Sequence, residues 1–128
     1  MKEDYVVEKF FRNVKAGLET FGVDGFSTLH NVQRLEDAGF TNVEEKVFKV
    51  PIGPWAKNSI LKTVGRYFRS SLYDGLQGLA MATLTRGLGW DSADVERFLV
   101  DVRKGLLDPT QHAYITFHVV FGQKPLSA

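Results

Sequence analysis

The sequence predicts one domain that is mostly helical and contains two long strands, an α/β arrangement in which helices dominate. Four segments carry apolar residues at the three- and four-residue spacing of an amphipathic helix. Two further segments are typical of strands, one rich in valine and one strictly alternating. With 128 residues, of which 44% are hydrophobic, the chain is long enough for one domain with a core. We therefore predict a single domain over residues 1–128.

The first two predicted helices occupy the N-terminal third. The first runs from about residue 3 to about residue 20, because apolar residues recur there at helical spacing, and Gly22 ends it. Ser27 or Thr28 can cap the second, which continues to Gly39, where a left-handed residue is expected after the helix end. The apolar positions are Val6, Phe10, Val14, Leu18 and Phe21 in the first helix, and Leu29, Val32 and Leu35 in the second.

The first predicted strand runs from residue 42 to residue 52 and is bounded by glycine and proline. Pro51 and Pro54 cannot donate ladder hydrogen bonds, so we expect pairing to stop near Val50 and the chain to turn before Trp55. Charged residues dominate the first half of this strand, and apolar residues dominate the second. The strand should be half exposed at its start and buried on both sides at its end.

A long helical block follows Trp55. In its first part, apolar residues keep a helical period for roughly 25 residues. Because each interior glycine costs about 1 kcal/mol relative to alanine, we expect a kink or break near Asp74 and Gly75. Gly87 and Gly89 then stop this helix. Its apolar positions are Leu61, Val64, Phe68, Leu72, Leu76, Leu79 and Leu84.

The second helix of the block begins at a cap supplied by Asp91 or Ser92 and ends at Asp108 and Pro109. Acidic residues in its first turn suit the positive end of the helix dipole, which explains them better than metal binding does. Its apolar face consists of Val95, Phe98, Leu99, Val102 and Leu106.

The last predicted strand, residues 112–122, alternates most regularly. Two strands alone form a marginal ribbon unless helices cover it or further strands join it. The apolar character of this strand predicts neighbours on both sides, which indicates that part of a larger domain is missing from these residues. One face carries Ala113, Ile115, Phe117, Val119 and Phe121, and the other carries His112, Tyr114, Thr116, His118 and Val120.

Composition excludes several classes of partner. The 16 Lys and Arg residues nearly balance the 15 Asp and Glu residues, and no long run of like charge occurs, so neither nucleic acid nor a membrane surface is a predicted partner. The chain has no cysteine, which excludes a disulfide framework and a thiolate site. It shows no signal peptide and no spanning segment. We expect an intracellular protein, cytoplasmic or nuclear.

Residues with catalytic or metal-binding potential are scattered. Two glycine pairs, at 75 and 78 and at 87 and 89, suggest phosphate loops, but neither follows a predicted strand, and helix-ending glycines explain both. His112 and His118 lie roughly 20 Å apart at strand rise, too far to ligate one metal ion, and His30 is alone on a helix. A catalytic role stays open for His112 because it heads a strand.

The helical block is also rich in aromatic residues. Aromatic residues at helical spacing more often form core than a ligand site, but the alternative of a pocket wall stays open. The set comprises Trp55, Tyr67, Phe68, Tyr73 and Trp90.

Several short motifs follow one another in a specific order. Residues 35–43 read LEDAGFTNV, residues 49–55 read KVPIGPW and residues 88–92 read LGWDS; VRK at 102–104, HAY at 112–114 and GQKP at 122–125 follow. Together they resemble the C-terminal half of fungal class I S-adenosylmethionine-dependent methyltransferases, most closely the LaeA-like and trans-aconitate-methyltransferase-like group. The first motif is widespread among class I methyltransferases, whereas KVPIGPW followed by LGW and HAY is fairly specific.

The resemblance implies a fold and a cofactor. In such enzymes a seven-stranded sheet binds S-adenosylmethionine through a glycine-rich loop after the first strand and an acidic residue at the end of the second. Both belong to the N-terminal half, and neither motif occurs in these 128 residues. The resemblance therefore implies a partial class I methyltransferase-like α/β fold without the cofactor-binding half, with its two strands antiparallel and the second the more buried. We expect the chain alone to bind no cofactor.

The resemblance also implies a function in fungal secondary metabolism or regulation. The chain would be the substrate-side, C-terminal portion of a methyltransferase, inactive alone, whose methyl acceptor is a small molecule or a regulatory target. Its helical insertion, residues 56–107, would form a lid over the acceptor. The residues expected nearest that pocket are Trp55, Tyr67, Tyr73, His112 and Tyr114. The alternative is a non-enzymatic interaction module whose apolar sheet edge or helical face binds a second copy or another protein.

Overall fold

A computed structural model describes residues 5–25 and 27–127, and the order of its elements follows the predicted one. The start of the first predicted helix, near residue 3, lies outside the described residues. In chain order the elements are helix α1 (Val6–Thr20), a 3-10 turn (Ser27–His30), helix α2 (Asn31–Asp37), strand β1 (Thr41–Pro51), helix α3 (Ser59–Ala82), a π-helical turn (Thr83–Gly87), helix α4 (Ser92–Leu106) and strand β2 (Tyr114–Gln123).

The sequence predicts the C-terminal end of α2 correctly but not its N-terminal end. Gly39 has a φ of +95°, the left-handed conformation predicted for the residue after this helix. The predicted cap at Ser27 or Thr28 is wrong, because both residues lie in the 3-10 turn and the α-helix begins only at Asn31. The short polar stretch before α2 thus forms a tighter turn of its own.

Helix α3 is continuous through Asp74 and Gly75, so the break predicted there is wrong. Leu72, Leu76 and Ala80 are all buried at helical spacing, and this unbroken apolar stripe requires a regular helix through the glycine. Packing of the stripe outweighs the helix propensity that glycine loses, about 1 kcal/mol. The irregularity comes later, where the helix widens into the π turn.

The N-termini of α3 and α4 are capped differently. The Asn58 side-chain oxygen accepts hydrogen bonds from the backbone N–H groups of Ile60 and Leu61, at 2.9 and 3.1 Å. Sequence reasoning did not single out this cap, although asparagine is a preferred residue at that position. Asp91 occupies the cap position of α4 as predicted, but its side chain makes no capping hydrogen bond.

The hydrophobic core lies among α1, α3, the π turn and α4. Each of these elements buries apolar residues spaced by about one helical turn, and complete burial of one such side chain stabilises the fold by about 1.5–3 kcal/mol. The most completely buried large side chains are Phe10, Leu76, Leu84, Leu99, Val7, Val95 and Val102. The helices therefore supply most of one core, to which Ile52 and Ala113 at the base of the ribbon also contribute.

Two glycines let the helices approach other backbone closely. A Cβ on Gly17 of α1 would overlap the carbonyl group of Thr83 in the π turn, and a Cβ on Gly65 of α3 would overlap the carbonyl group of Gly53. The Gly65 carbonyl also accepts a hydrogen bond from the Gly53 N–H at 2.9 Å. Because only glycine lacks a Cβ, these two positions fix α1 against the π turn and α3 against the turn after β1.

Strands β1 and β2 form a two-stranded antiparallel ribbon, which confirms the predicted pairing. Phe48 lies opposite Phe117 in the register. Pairing does not stop near Val50 as expected, because the Ile52 N–H donates to the Ala113 carbonyl at 2.9 Å. Pro51 has no backbone N–H, so the ribbon lacks one hydrogen-bond donor at this position but continues beyond it.

One face of the ribbon, which we call the open face, carries exposed apolar side chains. Register and pleat place Phe48, Phe117, Val119 and Phe121 on this face, and each is between 37% and 56% exposed. Within the described residues β2 pairs with β1 alone, so it has a free edge and does not lie between two neighbours. Only the β1 end of the ribbon, at Pro51, is buried.

Candidate functional site

The turn after β1 is held rigidly and forms one wall of a cavity. Gly53 has a φ of +94°, a conformation that side chains other than glycine rarely adopt. Its hydrogen bond to Gly65 fastens the turn to α3, and the Ile52 hydrogen bond to Ala113 fastens it to the residues before β2. The KVPIGPW segment therefore joins the ribbon to the helical core at a fixed geometry.

Trp55 and His112 stack beside this turn. Their ring centroids are 5.0 Å apart and their planes differ by 3°. The Trp55 indole nitrogen donates to the Ala113 carbonyl at 2.8 Å, which fixes the orientation of the indole. Trp55 follows β1 and His112 precedes β2, so antiparallel pairing of the strands is what brings the two rings together.

A cavity of about 240 Å³ adjoins the stacked pair. Its lining combines apolar and aromatic side chains with one guanidinium, one carboxylate and one amide, a mixture typical of sites for small molecules. The lining residues are Ile52, Gly53, Pro54, Trp55, Arg69, Leu106, Asp108, Pro109, Gln111 and His112.

Arg69 supplies the positive charge of the cavity. Its side chain is half-buried and crosses the turn, with Nη1 3.6 Å from the point where a Cβ on Gly53 would lie. Among the residues that the structure describes, no carboxylate forms an ion pair with this guanidinium. A guanidinium presents a planar fork of donors that matches a carboxylate or a phosphate.

Asp108 supplies the negative charge, and its carboxylate is engaged locally. Its Oδ1 accepts hydrogen bonds from the hydroxyl and the backbone N–H of Thr110, at 2.7 and 2.9 Å. These hydrogen bonds, the hydroxyl first, hold the pKa of the Asp108 carboxyl below its usual value. The cavity therefore carries one positive and one ionised negative group at neutral pH.

The five residues predicted to lie near a pocket do not all meet. Trp55 and His112 line the cavity together, whereas the three tyrosines lie elsewhere. Tyr67 is 73% exposed on α3. The ring of Tyr73 lies 6.0 Å from the guanidinium carbon of Arg103 and lines a second depression, which shares Arg69 with the cavity. The ring of Tyr114 lies 4.9 Å from the Lys49 ammonium.

Sequence reasoning missed three polar residues of the cavity, namely Arg69, Asp108 and Gln111. Arg69 gave no signal, because a single arginine in an amphipathic helix is ordinary. Asp108 was assigned only to the end of α4, which in the structure ends two residues earlier, at Leu106. The motif KVPIGPW was a usable signal, since its turn supplies four of the lining residues.

The other histidines do not join this site. The His118 ring lies 2.8 Å from a carboxylate oxygen of Glu45 across the ribbon. In residues 5–25 and 27–127, no group of three or more potential ligand side chains could hold a metal ion. The same ranges contain no helix of the length and apolarity needed to cross a membrane.

The comparisons with known proteins give relatives of one kind. The chain is 35% identical to the secondary metabolism regulator LAE1 of Cochliobolus heterostrophus over 94 residues, which is 73% of this chain and 31% of that protein. It is 31% identical to the probable methyltransferase tdiE of Emericella nidulans over 91 residues, 71% of this chain and 29% of the relative. It is 25% identical to the protein-methionine methyltransferase laeA of the same fungus over 112 residues, 88% and 30% respectively.

No protein-family model matches the chain, and no solved structure matches it significantly. The matches to the curated relatives cover most of this chain, and the resemblance to LaeA-like methyltransferases is thereby confirmed. The chain spans only about a quarter to a third of the length of these relatives.

Proposed function

Starting from this relationship to fungal LaeA-like methyltransferases, we propose that the chain is the acceptor-side, C-terminal part of an S-adenosylmethionine-dependent methyltransferase. In this role it binds and orients the methyl acceptor, and a separate cofactor-binding part presents the methyl donor. The acceptor is a small molecule or a regulatory target.

The unequal coverage of the matches carries the proposal. Between 71% and 98% of this chain aligns with relatives of which it spans only 26% to 34%. The open face of the ribbon supports the same proposal, because four exposed apolar side chains on one face are typical of a surface that packs against further structure.

The residues described here do not fit the cofactor. In such folds the cofactor lies at a glycine-rich loop that joins a strand to a helix and at an acidic residue that ends a strand. Strand β1 ends at Pro51 and β2 ends at Gln123, and the glycine pair at 87 and 89 follows the π turn and not a strand. We therefore assign no step of methyl transfer to these residues beyond acceptor binding.

The cavity beside Trp55 and His112 is the proposed acceptor site. The stacked rings line one side of the cavity, and the hydrogen bond from the Trp55 indole to the Ala113 carbonyl fixes the orientation of the indole. Holding an acceptor in one orientation accounts for much of the rate gain expected in a reaction between two bound molecules. Residues 56–107, which include α3 and α4, would cover this site as a lid in the complete enzyme.

A segment exchange tests the proposal. The 112-residue match in the protein-methionine methyltransferase of Emericella nidulans is replaced by the corresponding residues of this chain, and transfer of labelled methyl groups to the proteins and small molecules of a fungal extract is measured. We expect the hybrid to transfer methyl groups and a control with the segment deleted to be inactive. A folded hybrid that binds the cofactor but transfers nothing would contradict the proposal.

The isolated 128 residues offer a complementary measurement. Titration calorimetry with S-adenosylmethionine should give no heat of binding, because the residues that contact the cofactor belong to the separate part. Micromolar binding would show that a cofactor site exists within this chain and would refute the proposed division of roles.

The open face also favours a second candidate function, a non-enzymatic interaction module derived from a methyltransferase. In that case the apolar face or the free edge of β2 binds a second copy or another protein. Light scattering coupled to size exclusion distinguishes the two arrangements. Self-association that Phe117→Ser abolishes supports a module that binds a second copy, and a monomer over a wide concentration range contradicts that form of the module.

A further inference from the structure

The charges around the cavity restrict what it can bind, and we propose that it takes a small aromatic monocarboxylate held by Arg69. The inference rests on the proposed function only in treating the cavity as the acceptor site. Carboxylate binding itself requires neither the cofactor nor methyl transfer, so it can be measured separately.

Arg69 defines the anionic group of the ligand. Its guanidinium is half-buried over Gly53 and has no ion-pair partner among the described residues. A partly desolvated charge without a partner is unfavourable, and a ligand carboxylate would compensate it through two parallel hydrogen bonds. The hydrogen bond from the Gly53 N–H to the Gly65 carbonyl holds the turn against α3, the helix that carries Arg69.

The remaining lining defines the body of the ligand. Trp55 and His112 are parallel within 3°, and Ile52, Leu106 and Pro54 supply apolar surface. A planar ring packs well against such a wall. The volume of about 240 Å³ leaves room for a ligand of one or two rings.

Asp108 limits the ligand to a single negative charge. The hydrogen bonds from Thr110 keep this carboxylate ionised and fix it at the cavity. A second carboxylate, or a phosphate dianion, would therefore meet a like charge in the same small space, and that repulsion disfavours it. The carbonyl oxygen of the Gln111 side chain can accept a hydrogen bond from a hydroxyl or amino substituent of the ligand.

Nuclear magnetic resonance of the full chain tests the proposal with benzoate as the probe. The two indole N–H signals report on different places, because Trp55 lines the cavity whereas Trp90 packs against Phe98. Loss of one signal in Trp90→Phe assigns them. We expect benzoate to shift the Trp55 signal with a Kd of about 1 mM, a value reasonable for so small a ligand, and to leave the Trp90 signal in place.

Two probes of similar shape test the charge requirement without any substitution. Benzamide lacks the negative charge and should bind at least about tenfold more weakly than benzoate, since a hydrogen bond to a charged group is lost. Phthalate carries a second carboxylate and should also bind more weakly. Equal binding of benzoate and benzamide, or no shift at Trp55 with any of the three probes, would overturn the proposal.

Substitutions of two arginines on the same helix test the role of Arg69 in carboxylate binding. Arg69→Gln should weaken benzoate binding by about tenfold or more, whereas Arg66→Gln, at an exposed position on α3, should leave it unchanged. Arg69→Lys keeps the charge without the planar fork and should give an intermediate value. An equal effect of both glutamine variants refutes the assignment.

The result separates this inference from the proposed function. Benzoate binding with an inactive segment-exchange hybrid supports the carboxylate site and contradicts the methyltransferase role. An active hybrid without carboxylate binding supports the methyltransferase role and contradicts the carboxylate site.

Discussion

The helical block and the ribbon differ in how completely each buries its apolar side chains. In the helical block, residues such as Leu84, Leu99 and Val102 are fully buried. In the ribbon, Phe48 and Phe117 lie opposite each other and both are exposed by about half. The two regions have similarly apolar sequences. The difference in burial therefore depends on which elements pack against each region and not on its composition.

This difference indicates which part of the chain is self-sufficient. Helices that bury their apolar stripes against each other need no further partner, whereas a two-stranded ribbon with an apolar face is marginal in water. Helix α2 belongs with the ribbon in this respect, because none of its residues is buried. The surface that calls for additional structure therefore includes the ribbon and α2, and also the start of α3, where Ile60, Leu61 and Val64 are exposed.

Paired alanine substitutions test the contrast most strongly. Leu99→Ala should lower the free energy of unfolding by about 3 kcal/mol, because it removes a fully buried side chain and leaves a cavity. Phe117→Ala should change it by no more than about 0.5 kcal/mol in the monomer, since this side chain is mostly exposed. Urea unfolding at low protein concentration measures both. A large loss from Phe117→Ala would mean that the open face is covered in solution.

Glycine substitutions within α3 sharpen the contrast at its boundary. Gly65→Ala should destabilise the fold by about 2 kcal/mol, because the new Cβ would overlap the Gly53 carbonyl group of the turn after β1. Gly75→Ala is the matched control: no neighbouring atom lies within 4 Å of a Cβ there, so it should stabilise the helix by about 0.5–1 kcal/mol. Thermal unfolding distinguishes the two, and equal effects would refute the close approach.

The smallest expected effect concerns Tyr5, at the start of α1. Its hydroxyl donates to the Gly105 carbonyl at 2.6 Å, and burial, followed by the charge of Asp108, raises the pKa of Tyr5 from 10.0 to about 12. The raised pKa means that the folded state favours the protonated hydroxyl. This contribution is complete below pH 10 and is lost as the pH rises towards 12.

Tyr5→Phe should therefore be less stable than the natural protein by about 1 kcal/mol below pH 10, because it lacks the hydrogen bond. The difference should shrink as the pH increases from 10 to 12. Urea unfolding of both proteins at several alkaline pH values measures it. A difference that stays constant over this range would contradict the pKa shift.

The sequence predicts the elements of this fold better than their irregularities. Periodicity located the buried stripe of α4, because this depends on side-chain spacing alone. In α1 it found Phe10 and Val14 but missed the buried Val7 and included Phe21, which is 52% exposed. It failed at Gly75, where glycine was taken as a helix breaker. Whether an interior glycine breaks a helix depends on what the apolar stripe around it packs against, and this information lies in distant residues such as Leu99.

The candidate site was predictable only where the strands determine it. Trp55 and His112 could be singled out because each flanks a predicted strand, and antiparallel pairing then brings them together. Arg69 lies in the middle of a helix, and its position over Gly53 results from the close approach of α3 to a turn. Neither the spacing of apolar residues nor the composition predicts that approach, so the charged part of the cavity could be found only from the structure.

Pairing of β1 with β2 also has a consequence for the order of folding. The two strands enclose α3, the π turn and α4 in one loop, and closing a loop of that length costs conformational entropy before any ladder bond forms. The helices between them pack against each other and can become compact first. The ribbon should then form last and open first, so amides in the middle of β1 should exchange with solvent sooner than those of α4 in a hydrogen-exchange experiment.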